Sequence, residues 1–198
     1  WHLHDLDPSW DPKTRALTTR KHLRLIEARL AVHDSLVSRV AADLIARVRE
    51  LTESIDALED ELDQRTRDRA PQLREVCGVA AVNAAKILGE VAGVSRFRSR
   101  HAFARHNGTA PTPVWSGNKE RHRLSRAGNR QINAALHRVA ITQARASTQA
   151  QTYLDKRREA GATPKEALRS LKRRLSDVIY QAMLADESLH MQPQPAAA

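Results

Sequence analysis

Apolar residues recur every seven positions through the first third of the chain. The first series contains Leu23, Leu30, Val37, Leu44, Leu51 and Leu58, and a second series, four residues after members of the first, contains Ala41, Val48, Ile55 and Leu62. No Gly or Pro interrupts residues 17–69. This heptad spacing predicts a coiled-coil helix, whose length at about 1.5 Å per residue would be roughly 80 Å. The alternative is one long helix of a bundle that folds onto another domain.

Polar residues interrupt this seam near its start. Glu27 and Asp34 occupy positions where a continuous coiled coil would carry apolar side chains, so pairing should loosen or change partner there. Pro71 ends the predicted helix. We therefore expect a linker from an N-terminal domain over residues 1–16, a coiled-coil arm over residues 17–70, a second helical domain over residues 72–188 and a disordered tail over residues 189–198.

The second domain begins with a short helix, a turn at Gly78 and another helix. This order resembles the helix-hairpin-helix motif, in which the turn offers backbone N–H groups to a phosphate. That motif usually has a second glycine where this chain has Ala80 or Ala81. An ordinary turn between two packed helices explains the pattern equally well.

Further along, helical and loop signals alternate. Residues 99–107 predict a short helix that ends at Asn107-Gly108. Residues 109–123 contain Pro111, Pro113 and Gly117 without an apolar period, which predicts an exposed loop. After this loop, the spacing of Ile132, Leu136 and Val139 predicts a long helix. A last helix should begin at a capping box, with Thr163 as the N-cap and Glu166 as its partner.

Composition favours an all-α protein and bears on where it works. The 198 residues include seven Gly, eight Pro and 4% aromatic residues, which is typical of a helical protein with an aliphatic core. No apolar run is long enough for a membrane span and no signal peptide opens the chain, so a cytoplasmic protein is expected. One cysteine, Cys77, excludes an internal disulfide and a cysteine zinc cluster, and its apolar neighbours predict a buried thiol.

The positive charge is concentrated in the second domain. Residues 1–71 contain 12 Lys and Arg against 14 Asp and Glu, whereas residues 72–198 contain 21 against 9. Between Arg96 and Arg130 the only acid is Glu120, and the nine basic residues are Arg96, Arg98, Arg100, Arg105, Lys119, Arg121, Arg123, Arg126 and Arg130. Guanidinium groups match phosphate oxygens, so this cluster predicts a nucleic-acid surface rather than a merely solvated basic face.

Ser116 lies inside this basic cluster, in the sequence Trp115-Ser116-Gly117. Nearby arginines would stabilise charge that develops on a phosphate and would favour the serine alkoxide. Gly117 allows a close backbone approach, and Trp115 could stack on a base or wedge into the core. The spacing alone does not distinguish this serine from an ordinary loop serine.

Residues 73–186 resemble the C-terminal domain of the pilin-invertase-type (DEDD) insertion-sequence transposases, and the preceding coiled coil occupies the same order as in that family. The motifs that carry the resemblance are the Gly78-Val79 turn, Arg96-Phe97-Arg98-Ser99, Ala110-Pro111-Thr112-Pro113, Ser116-Gly117-Asn118 and Arg123-Leu124-Ser125-Arg126-Ala127-Gly128-Asn129-Arg130. Together they indicate a DNA transposase or site-specific recombinase of an insertion sequence.

The resemblance implies an active site in two parts. Four acidic residues of a ribonuclease-H-like domain would hold a divalent metal such as Mg²⁺, and Ser116 would form a covalent link to DNA. A bridging RNA guides known members to donor and target DNA. Ser125 is the competing serine, but family members often carry Asn or Thr at its position, and it is a predicted N-cap here.

This chain departs from the family in lacking the acidic domain, so we expect no metal or other cofactor in it. Its two acidic groups, residues 5–11 in the polar linker and residues 50–68 on the coiled-coil surface, could not be assembled on a sheet. The histidines show no compact metal pattern. We therefore expect the chain to bind DNA and to form homo-oligomers through the coiled coil without recombining DNA by itself. The expected phosphate-binding residues are Gly78, Arg96, Arg98, Arg100, Gly117, Lys119, Arg121, Arg123, Arg126 and Arg130.

Two other functions fit parts of the sequence. A non-catalytic nucleic-acid-binding module would use the coiled coil to position the basic domain. A ribosome- or nucleoid-associated structural protein would need only the positive charge, and its affinity would be indifferent to changes at Ser116.

Overall fold

The computed structural model describes residues 2–9, 19–116, 119–123 and 127–191, and the chain divides into two compact units, Trp1–Asp60 and Glu61–Ala198. The predicted all-α class is confirmed. Within the described residues, the only strands form one antiparallel pair. The predictions for Gly117, Ser125, Arg126 and residues 192–198 concern positions outside the described residues, as does most of the predicted linker.

The first unit contains α1 (His2–Leu6), α2 (Arg20–Leu30) and most of α3 (Leu36–Arg69). The single helix predicted over residues 17–70 is wrong, because residues 31–35 separate α2 from α3. Ion pairs join the two helices in antiparallel order, from Arg49 to Glu27 (2.8 Å) and from Arg20 to Asp56. The chain therefore reverses close to Asp34, where the seam becomes polar.

Side chains at this reversal explain why the helix stops. Ser38 Oγ donates to the carbonyl of His33 (2.6 Å) and accepts from the backbone N–H of Ser35 (3.0 Å). These bonds satisfy backbone groups that a continuous helix would pair internally. A small core of Ile26, Leu30 and Ala41 then closes between the helices, with Leu3, Leu6 and Ile45 packed on it.

The second unit contains the last turns of α3 and all remaining elements. These elements are α4 (Pro71–Glu75), α5 (Ala81–Val91), α6 (Arg100–His106), β1 (Thr112–Ser116), β2 (Lys119–Arg123), α7 (Arg130–Ala146), α8 (Thr148–Glu159) and α9 (Pro164–Met191). Helix α9 packs against α4, α6, α7 and α8, and α5 packs against α7. The core between them is aliphatic apart from Phe103 and Tyr180, and its largest buried side chains include Leu73, Ile87, Ile132, Leu136 and Ile179.

Two acidic side chains near the end of α9 fix the connections that precede α4 and α6. The Asp186 carboxylate accepts the backbone N–H groups of Gln72 (2.8 Å) and Leu73 (3.0 Å) and so satisfies the first turn of α4. Glu187 accepts the N–H groups of Val94 and Ser95 in the same way. Helix α9 thereby holds two segments that lie about 100 residues before it in the sequence.

The helix caps follow the sequence signals. The predicted capping box is confirmed: Thr163 Oγ1 accepts from Glu166 N (3.3 Å), and the Glu166 carboxylate accepts from Thr163 N (2.9 Å). The side chain of Asn129 caps α7 by accepting from Gln131 N and Ile132 N. These short-range interactions determine where α7 and α9 begin.

Two local predictions are wrong. Residues 109–123 are not simply a loop, because β1 and β2 pair within them. The Thr-Pro-Val-Trp run favours a strand, and a two-residue Gly-Asn connection between paired segments is a hairpin signal. Cys77 is exposed rather than buried. It lies in the turn between α4 and α5, where its carbonyl accepts from Gln143 Nε2 (2.8 Å).

Candidate nucleic-acid interface

The β-hairpin carries the predicted nucleophile and three of the predicted phosphate ligands. The strand register pairs Ser116 with Lys119, Val114 with Arg121 and Thr112 with Arg123. Positions that face each other across an antiparallel ladder belong to the same face of the sheet. The register therefore assigns Ser116 to the face that includes all three basic positions of β2. It assigns Trp115 and Glu120, which are also paired, to the other face.

The base of the hairpin is locked by hydrogen bonds to the end of α6. The Asn107 side chain is fully buried, and its Oδ1 accepts from Thr109 N (3.0 Å) and Thr109 Oγ1 (2.7 Å) on the incoming strand side. On the outgoing side, Asn129 N donates to the carbonyl of His106 (2.6 Å). Both ends of the hairpin segment are therefore attached to one turn, His106–Gly108.

Gly128 is required at this crossing by its conformation and by its neighbours. Its φ is +108°, and a Cβ there would lie 2.7 Å from both the Gly108 N and the His106 carbonyl O. Any side chain would strain the backbone and would also push it away from the turn. The glycine in the Ala127-Gly128-Asn129-Arg130 motif thus has a structural reason within this chain.

The predicted arginines before the hairpin are exposed around the start of α6. Arg96 and Arg98 lie in the segment after α5, and Arg100 is the first residue of α6. The Arg96 guanidinium stacks 4.7 Å from the centre of the Phe97 ring. Burial lowers the pKa of the His106 imidazole, and the charge of Arg96 lowers it further while Glu90 opposes the shift.

Gly78 lies in the turn between α4 and α5 and packs against α7. Its φ is +86°, and a Cβ there would lie 3.2 Å from both the Val139 carbonyl O and the Thr142 Cβ. Packing between helices therefore accounts for this glycine.

A groove of about 490 Å³ opens between the start of α7 and the first half of α9. The turn that holds the hairpin, residues 106–108, supplies Asn107 to its wall. Its charged and titratable lining side chains are Arg130, His137, Lys165, Arg169 and Lys172. Among the described residues that line it, none is Asp or Glu. The groove and the hairpin therefore share a base, and both carry positive charge.

Lys172 belongs to a polar network that connects three helices behind the groove. Its residue surface is 8% exposed, and its ammonium donates to Asn133 Oδ1 (2.6 Å). Asn133 Nδ2 donates in turn to the carbonyl of Asn107 (2.8 Å), and Asn107 Nδ2 donates to the buried Ser176 Oγ (2.8 Å). The network holds the lysine at a fixed position between α7 and α9.

The pKa shifts in the groove reflect burial and like charges. Burial lowers the pKa of Lys172, and the charge of Arg169 lowers it further. Burial also lowers the pKa of His137, to which Lys172 adds a smaller effect in the same direction. Both shifts are those of cations without a compensating carboxylate.

Sequence reasoning missed the contribution of α9 to this surface. Lys165, Arg169 and Lys172 are spaced by four and three residues, as are positions on one face of a helix, and this spacing was available as a signal. Arg130, His137 and Asn133 provide the facing wall from α7. The predicted basic cluster extends only from Arg96 to Arg130. No local sequence pattern indicates that the cationic row of α9 lies opposite Arg130 in the folded chain.

Two other kinds of site have no support within the described residues. No three His, Cys, Asp or Glu side chains there lie together as a metal site would require. None of the described helices has the length and apolar character that crossing a membrane demands.

Residues 70–155 match the model of the Transposase IS116/IS110/IS902 family. They extend from α4 to α8 and include the hairpin and the first wall of the groove. Over these residues the chain is similar to the transposases of that family. Residues 70–155 are called the matched segment below.

Two curated relatives extend the similarity beyond this segment. The chain is 32% identical over 128 residues to the insertion element IS110 uncharacterized 43.6 kDa protein of Streptomyces coelicolor, which covers 64% of this chain and 31% of the relative. It is 30% identical over 162 residues to the insertion element IS116 uncharacterized 44.8 kDa protein of Streptomyces clavuligerus, which covers 80% of this chain and 40% of the relative. The chain thus spans less than half the length of either relative.

Proposed function

We propose that the second unit binds DNA in an insertion-element transposase and that Ser116 is the nucleophile of strand exchange. The observation that carries the proposal is the pairing of Ser116 with Lys119 at the last step of the hairpin ladder. Basic residues recur at every second position of β2, and these positions are the partners of Thr112, Val114 and Ser116 in the strand register. A phosphodiester on the hairpin face that includes Ser116 would meet cations on one strand and the serine on the other.

The proposed step exchanges one phosphate ester for another. Ser116 Oγ attacks the phosphorus, an Oγ–P bond forms, and the bond from phosphorus to one sugar oxygen breaks. The proton of the serine hydroxyl passes to the sugar oxygen that leaves, so the step needs no oxidant or reductant. Cations on the same face stabilise the negative charge that develops on the phosphate oxygens and favour deprotonation of the serine.

The exposed arginines around α6 extend the proposed DNA surface. Arg96, Arg98 and Arg100 precede the hairpin in sequence, and Arg130 follows it at the start of α7. The proposal also includes Gly117 and Arg126 by their positions in the sequence. Gly78 is included because its helix-hairpin-helix-like turn could offer backbone N–H groups to a phosphate. Since Gly78 also packs against α7, a substitution there would disturb helix packing as well as any phosphate contact.

The family resemblance also implies a divalent metal and a guide RNA. The described residues offer no ligand set for a metal, so no step of the proposed chemistry passes through one in this chain. A bridging RNA would present the same phosphate groups as DNA to the basic surface. The guide RNA is therefore a further part of the proposal that the charge pattern accommodates.

Ser116→Ala in the complete insertion-element protein tests the catalytic assignment. The covalent protein–DNA adduct, detected on a denaturing gel after incubation with donor DNA, should disappear, while binding of the same DNA should change by less than about twofold. Ser125→Ala is the matched control and should retain the adduct. An adduct that persists in the Ser116 variant would favour the non-catalytic binding module.

We also propose that α3 associates with a second copy of this chain. Five apolar heptad residues on it, Leu44, Val48, Leu51, Ile55 and Leu58, are between 40% and 59% exposed. A regular apolar stripe of this length is typical of a coiled-coil seam that is covered by another helix. The measurement that tests this proposal is the concentration dependence of the chain's mass, developed in the Discussion.

A further inference from the structure

The groove between α7 and α9 has the composition of an anion site. We propose that it binds phosphate groups of one nucleic-acid strand, independently of the hairpin face, with Arg130, Lys165, Arg169 and Lys172 as the cationic ligands. This inference rests on the proposed nucleic-acid function of the second unit. It assigns a role to α9, whose residues lie beyond the matched segment.

Among the residues that the structure describes, no carboxylate pairs with the cations of the groove. Four cationic side chains line it, and none of them forms an ion pair with a carboxylate of the described residues. Arginines elsewhere behave differently, since Arg47, Arg65 and Arg67 on α3 each pair with an acid three or four residues away. The groove therefore keeps a positive electrostatic potential. On α3, by contrast, neighbouring acids offset the charge of these arginines.

The burial of Lys172 also favours an anion in the groove. A cation in the wall of a groove loses hydration, and the single amide oxygen of Asn133 replaces only part of it. The hydrogen bond between Asn133 and Asn107 holds the Lys172 ammonium in place, and no described carboxylate pairs with it. An anion in the groove would supply the opposite charge.

The spacing of the cations fits a strand better than a single small anion. Lys165, Arg169 and Lys172 lie along one face of α9 over about 10 Å, at a rise of about 1.5 Å per residue. Successive phosphates of one DNA strand advance by about 3.4 Å along the helix axis. The row therefore spans roughly three nucleotides, while Arg130 contributes from the opposite wall. Arginine forks and lysine ammonium groups are the usual ligands of such phosphates.

The two surfaces share a base and can therefore contact the same nucleic-acid strand. Asn107 lines the groove and also anchors the incoming strand of the hairpin through Thr109. Ser116 is seven positions after Thr109, so it lies within about 24 Å of the anchored base of the hairpin. A strand held in the groove could present a phosphate within about seven nucleotides to the serine.

Salt-dependent binding of a short fluorescein-labelled DNA duplex of mixed sequence tests the inference with the chain as it stands. The groove variant is Lys165→Gln with Arg169→Gln, because both side chains are exposed and their removal should not disturb the core. The matched control is Lys156→Gln with Arg157→Gln, which removes two exposed cations at the end of α8, outside the groove. Circular dichroism checks that both variants remain folded.

The groove variant should bind about tenfold more weakly than the wild type at moderate salt. Its slope of log affinity against log salt should become shallower by about 0.9 for each phosphate that the variant no longer neutralises. The control should change affinity by less than about twofold. As a second measurement, inorganic phosphate should shift the amide NMR signals of Asn129, Arg130 and Lys172 in the wild type, and these shifts should diminish in the groove variant.

A hairpin variant, Arg121→Gln with Arg123→Gln, separates this inference from the proposed function. If the hairpin variant loses affinity while the groove variant matches the α8 control, the groove inference is overturned and the hairpin proposal stands. If only the groove variant loses affinity, the hairpin part of the proposed function fails instead. A wild-type chain that binds no duplex at low salt would contradict both.

Discussion

The two units differ in whether their periodic apolar residues are buried. In the second unit the apolar faces of α5, α7 and α9 meet, and Ile87, Leu136 and Ile179 are fully buried. In the first unit, ion pairs hold α2 beside α3 as far as Asp56, yet Leu51 within that stretch is 46% exposed. The apolar faces of the second unit are therefore covered by other helices of the same unit, whereas the apolar stripe of α3 stays partly exposed.

This contrast defines what hydrophobic spacing can predict. A period near 3.5 residues predicts a helix with one apolar face in either unit. It does not identify the surface that covers this face. The charges differ in a parallel way, since acids neighbour the arginines of α3, whereas the groove and hairpin of the second unit concentrate cations.

Truncating one leucine in each unit tests the contrast most directly. Leu136→Ala should lower the free energy of unfolding by about 2 to 5 kcal/mol, because it leaves a cavity in a closed core. Leu51→Ala, on the open stripe, should lower it by less than about 0.5 kcal/mol in dilute solution. Urea unfolding followed by circular dichroism measures both. Equal decreases would mean that the stripe is covered within a single chain.

A smaller decrease in stability is expected at the hairpin base. Gly128→Ala should destabilise the second unit by about 2 to 3 kcal/mol, because its Cβ would collide with the His106–Gly108 backbone in addition to the strain of a positive φ. Gly161→Ala is the control, since it shares a positive φ but meets no atom within 4 Å. It should cost about 1 kcal/mol. Thermal unfolding that shows no difference between the two variants would contradict the crossing at Gly128.

Local rules predicted much of the second unit. The capping box at Thr163 and the apolar spacing of Ile132, Leu136 and Val139 are confirmed because each depends on residues within one helix. The reversal at residues 31–35 was not predicted. Asp34 interrupts the apolar seam there, but a helical pattern without Gly or Pro does not indicate where the chain reverses. The hairpin was not predicted, because two prolines before Val114 and the charged run Lys119–Arg123 obscured its alternation.

The candidate site was predictable only in part. Charge indicated a phosphate-binding surface, but the choice of Ser116 came from the family resemblance and not from local chemistry. The groove needed the tertiary structure, because Arg130 and Lys172 are 42 positions apart in sequence and meet only through the packing of α7 on α9. Lys172 also occupies a buried position, where sequence reasoning expects an apolar residue.

The open stripe of α3 gives a prediction about association rather than unfolding. Leu51→Asp should weaken self-association of the chain by at least about tenfold, or about 1.4 kcal/mol, since a carboxylate would be buried in the proposed seam. Sedimentation equilibrium over a range of concentrations measures the change. Ala46→Asp places the same charge at an exposed position on the opposite side of α3 from the apolar stripe and serves as the control. A wild-type chain that remains monomeric at high concentration would refute the association itself.

The smallest effect is expected from the groove histidine as the pH falls. Burial and the charge of Lys172 lower the pKa of His137 below 6.5, its ordinary value, and Arg130, Lys165 and Arg169 also line its groove. The unfolded chain therefore takes up a proton first, so stability is complete above 6.5 and falls as the pH drops through the interval down to the folded pKa. His137→Gln should make thermal unfolding of the second unit less sensitive to acid in this interval, whereas His33→Gln in the first unit should not. Phosphate in the groove would favour the imidazolium and should reduce the same sensitivity in the wild type. A wild-type response to acid that phosphate leaves unchanged would separate His137 from the anion site.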